Sequence, residues 1–255
     1  MLFQIILIIF ILVIFRKQRI EMVKTEAKKE LIFCLLWLLF YFILAVIGNA
    51  YHIDIINEIS NWLFFVLFPL LLITWLRKEN MTKVLKDMGL RCFDKATIIN
   101  LSLICVFYII IIVLVFSFGE EATNTFTLES ISKIVVSFPI WFALMLCTAA
   151  FTEEFFFRGL LQKYMTDFWH RPYLAILLTS VLFGLYHFPF AYYLWDETAG
   201  SVIASLQMVM MEQAISGIAC GLIYYKCKQN LWSSMVLHAC TNAIIMSLGV
   251  AFSGM

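Results

Sequence analysis

Eight apolar stretches, most of them long enough to cross a bilayer, govern what this chain can fold into. They lie near residues 1–16, 31–50, 60–76, 96–117, 131–162, 172–195, 200–226 and 231–253. A run of about 17–25 apolar residues is typical of a membrane-spanning helix. Hydrophobic residues make up 63% of the chain and charged residues 14%, whereas a soluble domain has about 25% charged residues. The sequence therefore predicts an all-α polytopic membrane helix bundle with about eight transmembrane helices.

The distribution of basic residues gives an independent check on the helix count. With the amino terminus outside, the loops at 16–30, 77–95, 158–172 and 226–230 hold 17 of the 18 Lys and Arg residues. The opposite loops carry acidic residues and neither Lys nor Arg. Because cytoplasmic loops are enriched in Lys and Arg, this alternation predicts eight spans with both chain ends outside.

Three other features narrow the class of protein. The first stretch has no basic region before it and no small-residue cleavage site, so we expect a retained helix rather than a signal peptide. A net charge of +1 supplies no basic patch for a nucleic-acid partner. The seven cysteines show no CxxC spacing and lie mostly in apolar runs, so we expect small core residues rather than disulfides or a zinc–thiolate site.

A pair of carboxylates, Glu153 and Glu154, lies inside the fifth apolar stretch, with Arg158 close behind. An ionisable group in hydrocarbon is costly unless it is paired or functional. Residues four apart share a helix face, so Glu154 is expected to pair with Arg158, while Glu153 projects about 100° away and suits a general base or acid. The alternative is a helix end at which both carboxylates meet cytoplasmic water or Arg158.

Two later apolar stretches also carry polar groups. His187 follows Gly184, which would permit close helix contact, and a neutral imidazole can hold or deprotonate a water molecule. His238 and Asn242 are four residues apart and could donate hydrogen bonds side by side to a developing oxyanion. The alternative for each is hydrogen bonding between helices.

We expect these groups to meet in one cavity in the middle or the cytoplasmic half of the bilayer. Glu212 is a further intramembrane carboxylate. For Glu212, pairing with a polar neighbour and lining the cavity are both open.

Three motifs occur in order: Glu-Glu-x-x-x-Arg at 153–158, Phe-x-x-x-His at 183–187 and His-x-x-x-Asn at 238–242. Together they resemble the signature of the CPBP intramembrane proteases, also called the Abi or CAAX-protease family, which are related to the Ras-converting type II CAAX prenyl endopeptidases. The resemblance covers about residues 131–253. It implies a protease core of about four transmembrane helices at 131–255. The apolar stretches predict about four more transmembrane helices at 1–130.

The resemblance implies an intramembrane endopeptidase in which Glu153 and His187 activate a water molecule. His238 and Asn242 would form the oxyanion hole. The implied substrate is a peptide or protein that is prenylated or otherwise hydrophobic. The implied location of the protein itself is the plasma membrane of a bacterium, as a multi-pass integral membrane protein.

The resemblance also assigns supporting and cofactor roles. Glu154 and Arg158 would orient their helix. The family is often classed as metalloendopeptidases, but the chain has no His-Glu-x-x-His helix. We therefore expect no metal ligands and no required cofactor, with zinc as the alternative.

Two readings from other classes compete with the protease. One is a non-catalytic bacteriocin self-immunity or membrane binding protein of the same fold. The other is a transporter, which usually has broken helices repeated in two halves, whereas the polar residues here cluster in the second half of the chain.

Overall fold

The computed structural model describes residues 2–15, 27–53, 58–118 and 127–252. Within this part of the chain, ten helices are joined by short connections. They are α1 (Leu2–Ile14), α2 (Lys28–Ala50), α3 (58–77), α4 (Met81–Asp87), α5 (Lys95–Phe118), α6 (Leu128–Trp169), α7 (Pro172–Tyr186), α8 (Phe188–Tyr193), α9 (Val202–Lys226) and α10 (Leu231–Phe252). The prediction of an all-α bundle is confirmed.

Each of the eight apolar stretches contains a helix in its described residues. Six helices in the described ranges are long and apolar enough to cross a membrane: α2, α3, α6, α7 continued by α8, α9 and α10. In α1 and α5 the shorter apolar segments Gln4–Ile14 and Thr97–Ile110 correspond to the two remaining stretches. The chain is thus a helical integral membrane bundle, with a count close to the eight predicted.

Polar side chains and prolines mark where several helices begin. The side chain of Asn80 accepts a hydrogen bond from the backbone N–H of Lys83 at 2.8 Å at the start of α4. Asp94 likewise accepts the N–H of Thr97 at 2.7 Å at the start of α5. Such caps satisfy backbone donors that have no partner within the helix. Pro172 opens α7, where its missing N–H costs nothing.

The prediction of a loop at 158–172 was wrong. Helix α6 runs unbroken for 42 residues to Trp169, a length of about 63 Å. It continues because Arg158, counted as a loop charge from sequence, is 0% exposed and paired inside the protein. Two π-helical turns, Leu146–Ala150 and Phe155–Gln162, flank the short α-helical segment Phe151–Glu154. Such turns change which residues face the interior, and they are frequent at functional sites.

Two apolar clusters hold the bundle together. The first joins α2, α3 and α4 to the buried second half of α6, with Phe65 and Phe157 among its fully buried side chains. The second joins α1 and α5 to α9 and α10. Both clusters mix helices from the first and second halves of the chain, so the helices before residue 119 pack directly around those after residue 127.

A second contact between the halves is made by hydrogen bonds at one end of the bundle. We call it the loop clamp, formed by residues 88–94 after α4 and residues 224–231 around the α9–α10 turn. The backbone N–H of Leu231 donates to the carbonyl of Gly89 at 3.0 Å, and the hydroxyl of Tyr224 donates to the carbonyl of Met88 at 3.2 Å. The Asn230 side-chain amide donates to the Arg91 carbonyl at 3.1 Å.

The seven cysteines are free, as the absence of CxxC spacing predicted. Four are buried, but Cys92 and Cys147 are exposed. The prediction that the cysteines are small core residues is therefore wrong for these two.

Candidate active site

The two adjacent carboxylates lie in the buried second half of α6. Glu153 is 8% exposed and Glu154 is 0% exposed. Neither side chain therefore faces open solvent at a helix end. Both must be stabilised by polar groups of the protein, because an unpaired charge in a medium of low polarity is costly.

Arg158 supplies one of those groups. Its Nη1 lies 3.0 Å from Glu154 Oε1, which is the pairing predicted from the four-residue spacing. Its Nη2 donates to the backbone carbonyl of Gly217 on α9 at 3.0 Å, and its guanidinium carbon lies 4.6 Å from the ring centre of Phe183. Arg158 thereby ties α6 to α7 and α9.

Glycines on α9 make room for these side chains. A Cβ on Gly217 would lie 3.3 Å from Arg158 Nη2 and 3.2 Å from Ser180. One turn later, Gln162 donates from its side-chain amide to the carbonyl of Gly221 at 3.0 Å. Sequence reasoning missed Gln162. The sequence did contain a signal for it: Gln162 lies four residues after Arg158, just as Gly221 lies four residues after Gly217.

His187 occupies the junction between α7 and α8. Its Nδ1 lies 2.8 Å from the carbonyl oxygen of Phe183. Because a carbonyl oxygen can only accept a hydrogen bond, Nδ1 carries the proton. Nε2 is the ring nitrogen that remains to face the site. That Nε2 lies 4.0 Å from Glu153 Oε1. Gly184 allows α7 to approach α9 closely here, because an added Cβ would lie 2.8 Å from the carbonyl of Val209.

His238 approaches the same carboxylates from α10. Its Nδ1 lies 2.9 Å from Glu154 Oε1, and its Nε2 lies 3.9 Å from Glu153 Oε2. Asn242, one turn further along α10, is half-buried. The histidine–carboxylate pairing joins helices far apart in sequence, and the sequence alone did not predict it.

Glu153 thus stands between two imidazole nitrogens. The separations of 4.0 Å and 3.9 Å exceed the 2.7–3.2 Å typical of a direct hydrogen bond. They suit one small molecule, such as water, that bridges the carboxylate and the rings. The arrangement can hold a water molecule and accept its proton.

Glu212 differs from the other intramembrane carboxylates. It lies in a π-helical turn of α9, and its side chain is exposed. Only its backbone carbonyl receives a described hydrogen bond, from the side chain of Gln4 at 3.3 Å. The structure does not bring the Glu212 side chain into the buried set around Glu153.

One group of side chains in the described ranges has the spacing of metal ligands. A ligand atom from each of Glu154, Cys220 and His238 lies within 4.8 Å of the others. The same Glu154 oxygen already meets the Arg158 guanidinium at 3.0 Å and the His238 ring at 2.9 Å. A cation there would face a buried positive charge, so these residues do not fit a zinc site.

Comparison with known proteins bears on the segment that carries the site. Residues 135–244 match the family described as Type II CAAX prenyl endopeptidase Rce1-like. This segment is therefore similar to that family. It contains all three motifs that carry the resemblance noted above. The comparisons with curated proteins and with solved structures gave no significant match.

The match to this family supports a broad activity. Together with the six candidate spans it makes the chain an integral membrane protein and supports a CAAX-type intramembrane protease, that is, a hydrolase.

Proposed function

We propose that the chain is an intramembrane endopeptidase that hydrolyses a peptide bond with a water molecule held by Glu153 and His187. The observation that carries this proposal is the placement of two imidazole nitrogens at 4.0 Å and 3.9 Å from the two oxygens of one buried carboxylate. A general base must lie within reach of the proton that it takes, directly or through one water.

The residues divide the reaction between them. Glu153 takes a proton from the water, which His187 Nε2 orients, and the resulting hydroxide adds to the carbonyl carbon of the scissile peptide bond. His238 and the Asn242 amide donate to the oxyanion that forms. When the C–N bond breaks, the proton held by Glu153 passes to the departing amine. The carboxylic acid and amine that form then exchange the remaining proton and leave as a carboxylate and an ammonium group.

An apolar groove beside the site suits a hydrophobic substrate. It has a volume of about 230 Å³ and lies between α2 and α7. Tyr186 forms one wall, and its ring centre is 4.5 Å from that of His187. The other lining residues are all apolar: Leu35, Leu38, Leu39, Phe42, Leu182 and Leu185. We therefore favour a hydrophobic or lipid-associated peptide, with its scissile bond beside Glu153.

The mechanism as drawn uses no metal ion. The Arg158 guanidinium beside Glu154 disfavours a second cation, and the base and the oxyanion donors are all side chains of this chain. Full activity after exhaustive chelation is the expected result. Loss of activity that zinc restores would overturn the metal-free mechanism.

The test of the activity is cleavage in liposomes of a prenylated CAAX peptide and a panel of unprenylated hydrophobic peptides, read by mass spectrometry. We expect cleavage of at least one peptide and incorporation of one oxygen atom from labelled water into the new carboxylate. Well-folded protein that cleaves none of them would favour a protein that acts by contact, as an immunity protein would.

A further inference from the structure

Glu154 contacts more than its predicted partner. Its Oε1 lies 3.0 Å from Arg158 Nη1 and 2.9 Å from His238 Nδ1. The side chain of Glu154 is fully buried, and that of His238 is 9% exposed. One carboxylate oxygen therefore joins a guanidinium of its own helix to an imidazole of α10.

This contact decides how His238 presents its ring. A carboxylate accepts hydrogen bonds, so Nδ1 of His238 carries a proton directed at Glu154. The other nitrogen, Nε2, is thereby turned towards Glu153, 3.9 Å from its Oε2. A neutral ring with its proton on Nδ1 has only a lone pair at Nε2. Donation from Nε2 to an oxyanion requires the doubly protonated imidazolium.

The charges around His238 balance when its ring is an imidazolium. Glu153 and Glu154 carry two negative charges, and Arg158 carries one positive charge. A protonated His238 brings this buried set to zero, which matters where unpaired charge is costly. The other titratable groups that face this region are His187 on α7, whose Nε2 lies beyond Glu153, and Cys220 on α9, within 4.8 Å of Glu154 and His238.

We propose that Glu154 is a positioning residue that acts through His238. It holds the Nε2 of His238 towards the reacting atoms, and its negative charge stabilises the imidazolium that donates to the oxyanion. This inference deepens the proposed protease function and rests on it. Glu154 thus has a second role besides pairing with Arg158, and the pairing alone would make it a structural residue.

The first test separates this role from simple stabilisation of the fold. Replacing Glu154 by Gln keeps the size and an acceptor oxygen but removes the charge, and it leaves Arg158 buried without its anion. The double variant Glu154→Gln/Arg158→Met removes both charges. We expect the double variant to recover the thermal midpoint of the wild type while kcat stays low. Recovery of kcat together with the midpoint would overturn the proposal.

The second test asks whether Glu154 acts through His238. The wild type, Glu154→Gln, His238→Ala and the double variant are compared on the peptide that the wild type cleaves. We expect Glu154→Gln to lower kcat by about 10–100-fold, by analogy with the loss measured for residues that orient metal-bound histidines, with KM nearly unchanged. In the His238→Ala background the same change should cost little more, because the residues act as a unit.

Two outcomes contradict the inference. Losses that multiply in the double variant would show that Glu154 acts independently of His238. An unchanged kcat in well-folded Glu154→Gln would show that it has no positioning role. Failure of the wild type to cleave any peptide instead contradicts the proposed function itself, so the two failures are distinguishable.

Discussion

Two polar regions of this molecule, the buried set around Glu153 and the loop clamp, differ in the distances between their polar atoms. In the clamp, backbone and amide groups meet at 3.0–3.2 Å, as in Leu231 to Gly89 and Tyr224 to Met88. Around Glu153, the two histidine nitrogens stop at 3.9–4.0 Å. The direct hydrogen bonds of the clamp stabilise the contact between its two chain segments. The longer separations between Glu153 and the histidine nitrogens leave room for a water molecule and a substrate atom.

The two regions also differ in how their contacts are supported. Next to Glu153, the side chain of Glu154 contacts both Arg158 and His238 at 2.9–3.0 Å, and these contacts hold the groups that face Glu153. The clamp instead joins one chain segment directly to another. We infer that changes in the clamp alter stability, whereas changes around Glu153 alter turnover.

After loss of the general base Glu153, the largest effect expected is that of His187→Ala. Loss of the imidazole removes the group that orients the water at Glu153, and general acid–base groups contribute about 10²–10⁴-fold to rate. We predict a fall of kcat in this range, measured by peptide cleavage, with a thermal midpoint close to that of the wild type. His170, an exposed residue at the end of α6, provides the control: His170→Ala should keep full activity.

Gly89→Ala should give the opposite pattern, a loss of stability without a loss of turnover. Gly89 has a φ of +96°, and an added Cβ would lie 1.9 Å from the carbonyl oxygen of Gln229. Strain and overlap together should cost about 3 kcal/mol or more in unfolding free energy. Activity per folded molecule should remain unchanged.

Gly200→Ala is the matched control for the clamp. Gly200 also has a positive φ, +77°, but a Cβ there would have nothing within 4 Å. The loss of unfolding free energy in Gly200→Ala should therefore be about 1–2 kcal/mol, for backbone strain alone. Equal destabilisation by the two variants, read by thermal unfolding in detergent, would show that the contact with Gln229 does not matter.

Gly217→Ala should alter both stability and turnover. Its Cβ would press on Ser180 and on Arg158 Nη2, at 3.2 Å and 3.3 Å. Overpacking of this kind costs about 1–3 kcal/mol, and displacement of Arg158 should also lower kcat through Glu154. Gly249→Ala, on an open face of α10, is the control: it should leave kcat unchanged and, because alanine is the better helix former, should not lower stability. Full kcat in Gly217→Ala would show that the packing of α9 against Arg158 does not affect the site.

The smallest effect is expected at Asp94, beside the clamp. Hydrogen bonding from Thr97, and pairing with Lys228 at 3.2 Å, lower the pKa of Asp94 to about 2, against about 3.9 in an unfolded chain. Because the folded pKa is the lower one, the carboxylate contributes stability above about pH 4 and loses it as the pH falls towards 2. Asp94 is exposed, so this contribution is small.

Asp94→Asn measures that contribution. Asparagine can still cap α5, so only the charge is removed. The variant should be slightly less stable than the wild type at pH 7, and the two should converge near pH 2 in thermal unfolding. A difference that stays constant over this range would assign the effect to something other than ionisation.

Contacts within one helix could be predicted from the sequence, whereas contacts between helices could not. The eight apolar stretches mark the helices, because helix length in a membrane follows from apolar length. The pairing of Glu154 with Arg158 follows from the four-residue spacing. The contact between Glu154 and His238 joins positions 84 residues apart and depends on how α6 packs against α10.

Local backbone features also could not be predicted from the pattern of apolar residues. The π-helical turns around Phe151–Glu154 leave no mark in apolar periodicity, and the helix beyond Arg158 was hidden because charged residues there resembled a loop. The positive φ of Gly89 depends on its docking against the α9–α10 turn. Burial of Arg158 is the physical reason for the largest correction, the extension of α6 to Trp169.

The most direct measurement of the central claim is cleavage of a hydrophobic or prenylated peptide in liposomes by the wild type, Glu153→Gln and the exposed-loop control Glu197→Gln. The amide keeps the shape of the site but cannot take a proton from water. The account predicts cleavage by the wild type and the control, and loss of turnover in Glu153→Gln with an unchanged thermal midpoint. Cleavage by well-folded Glu153→Gln at the wild-type rate would contradict it.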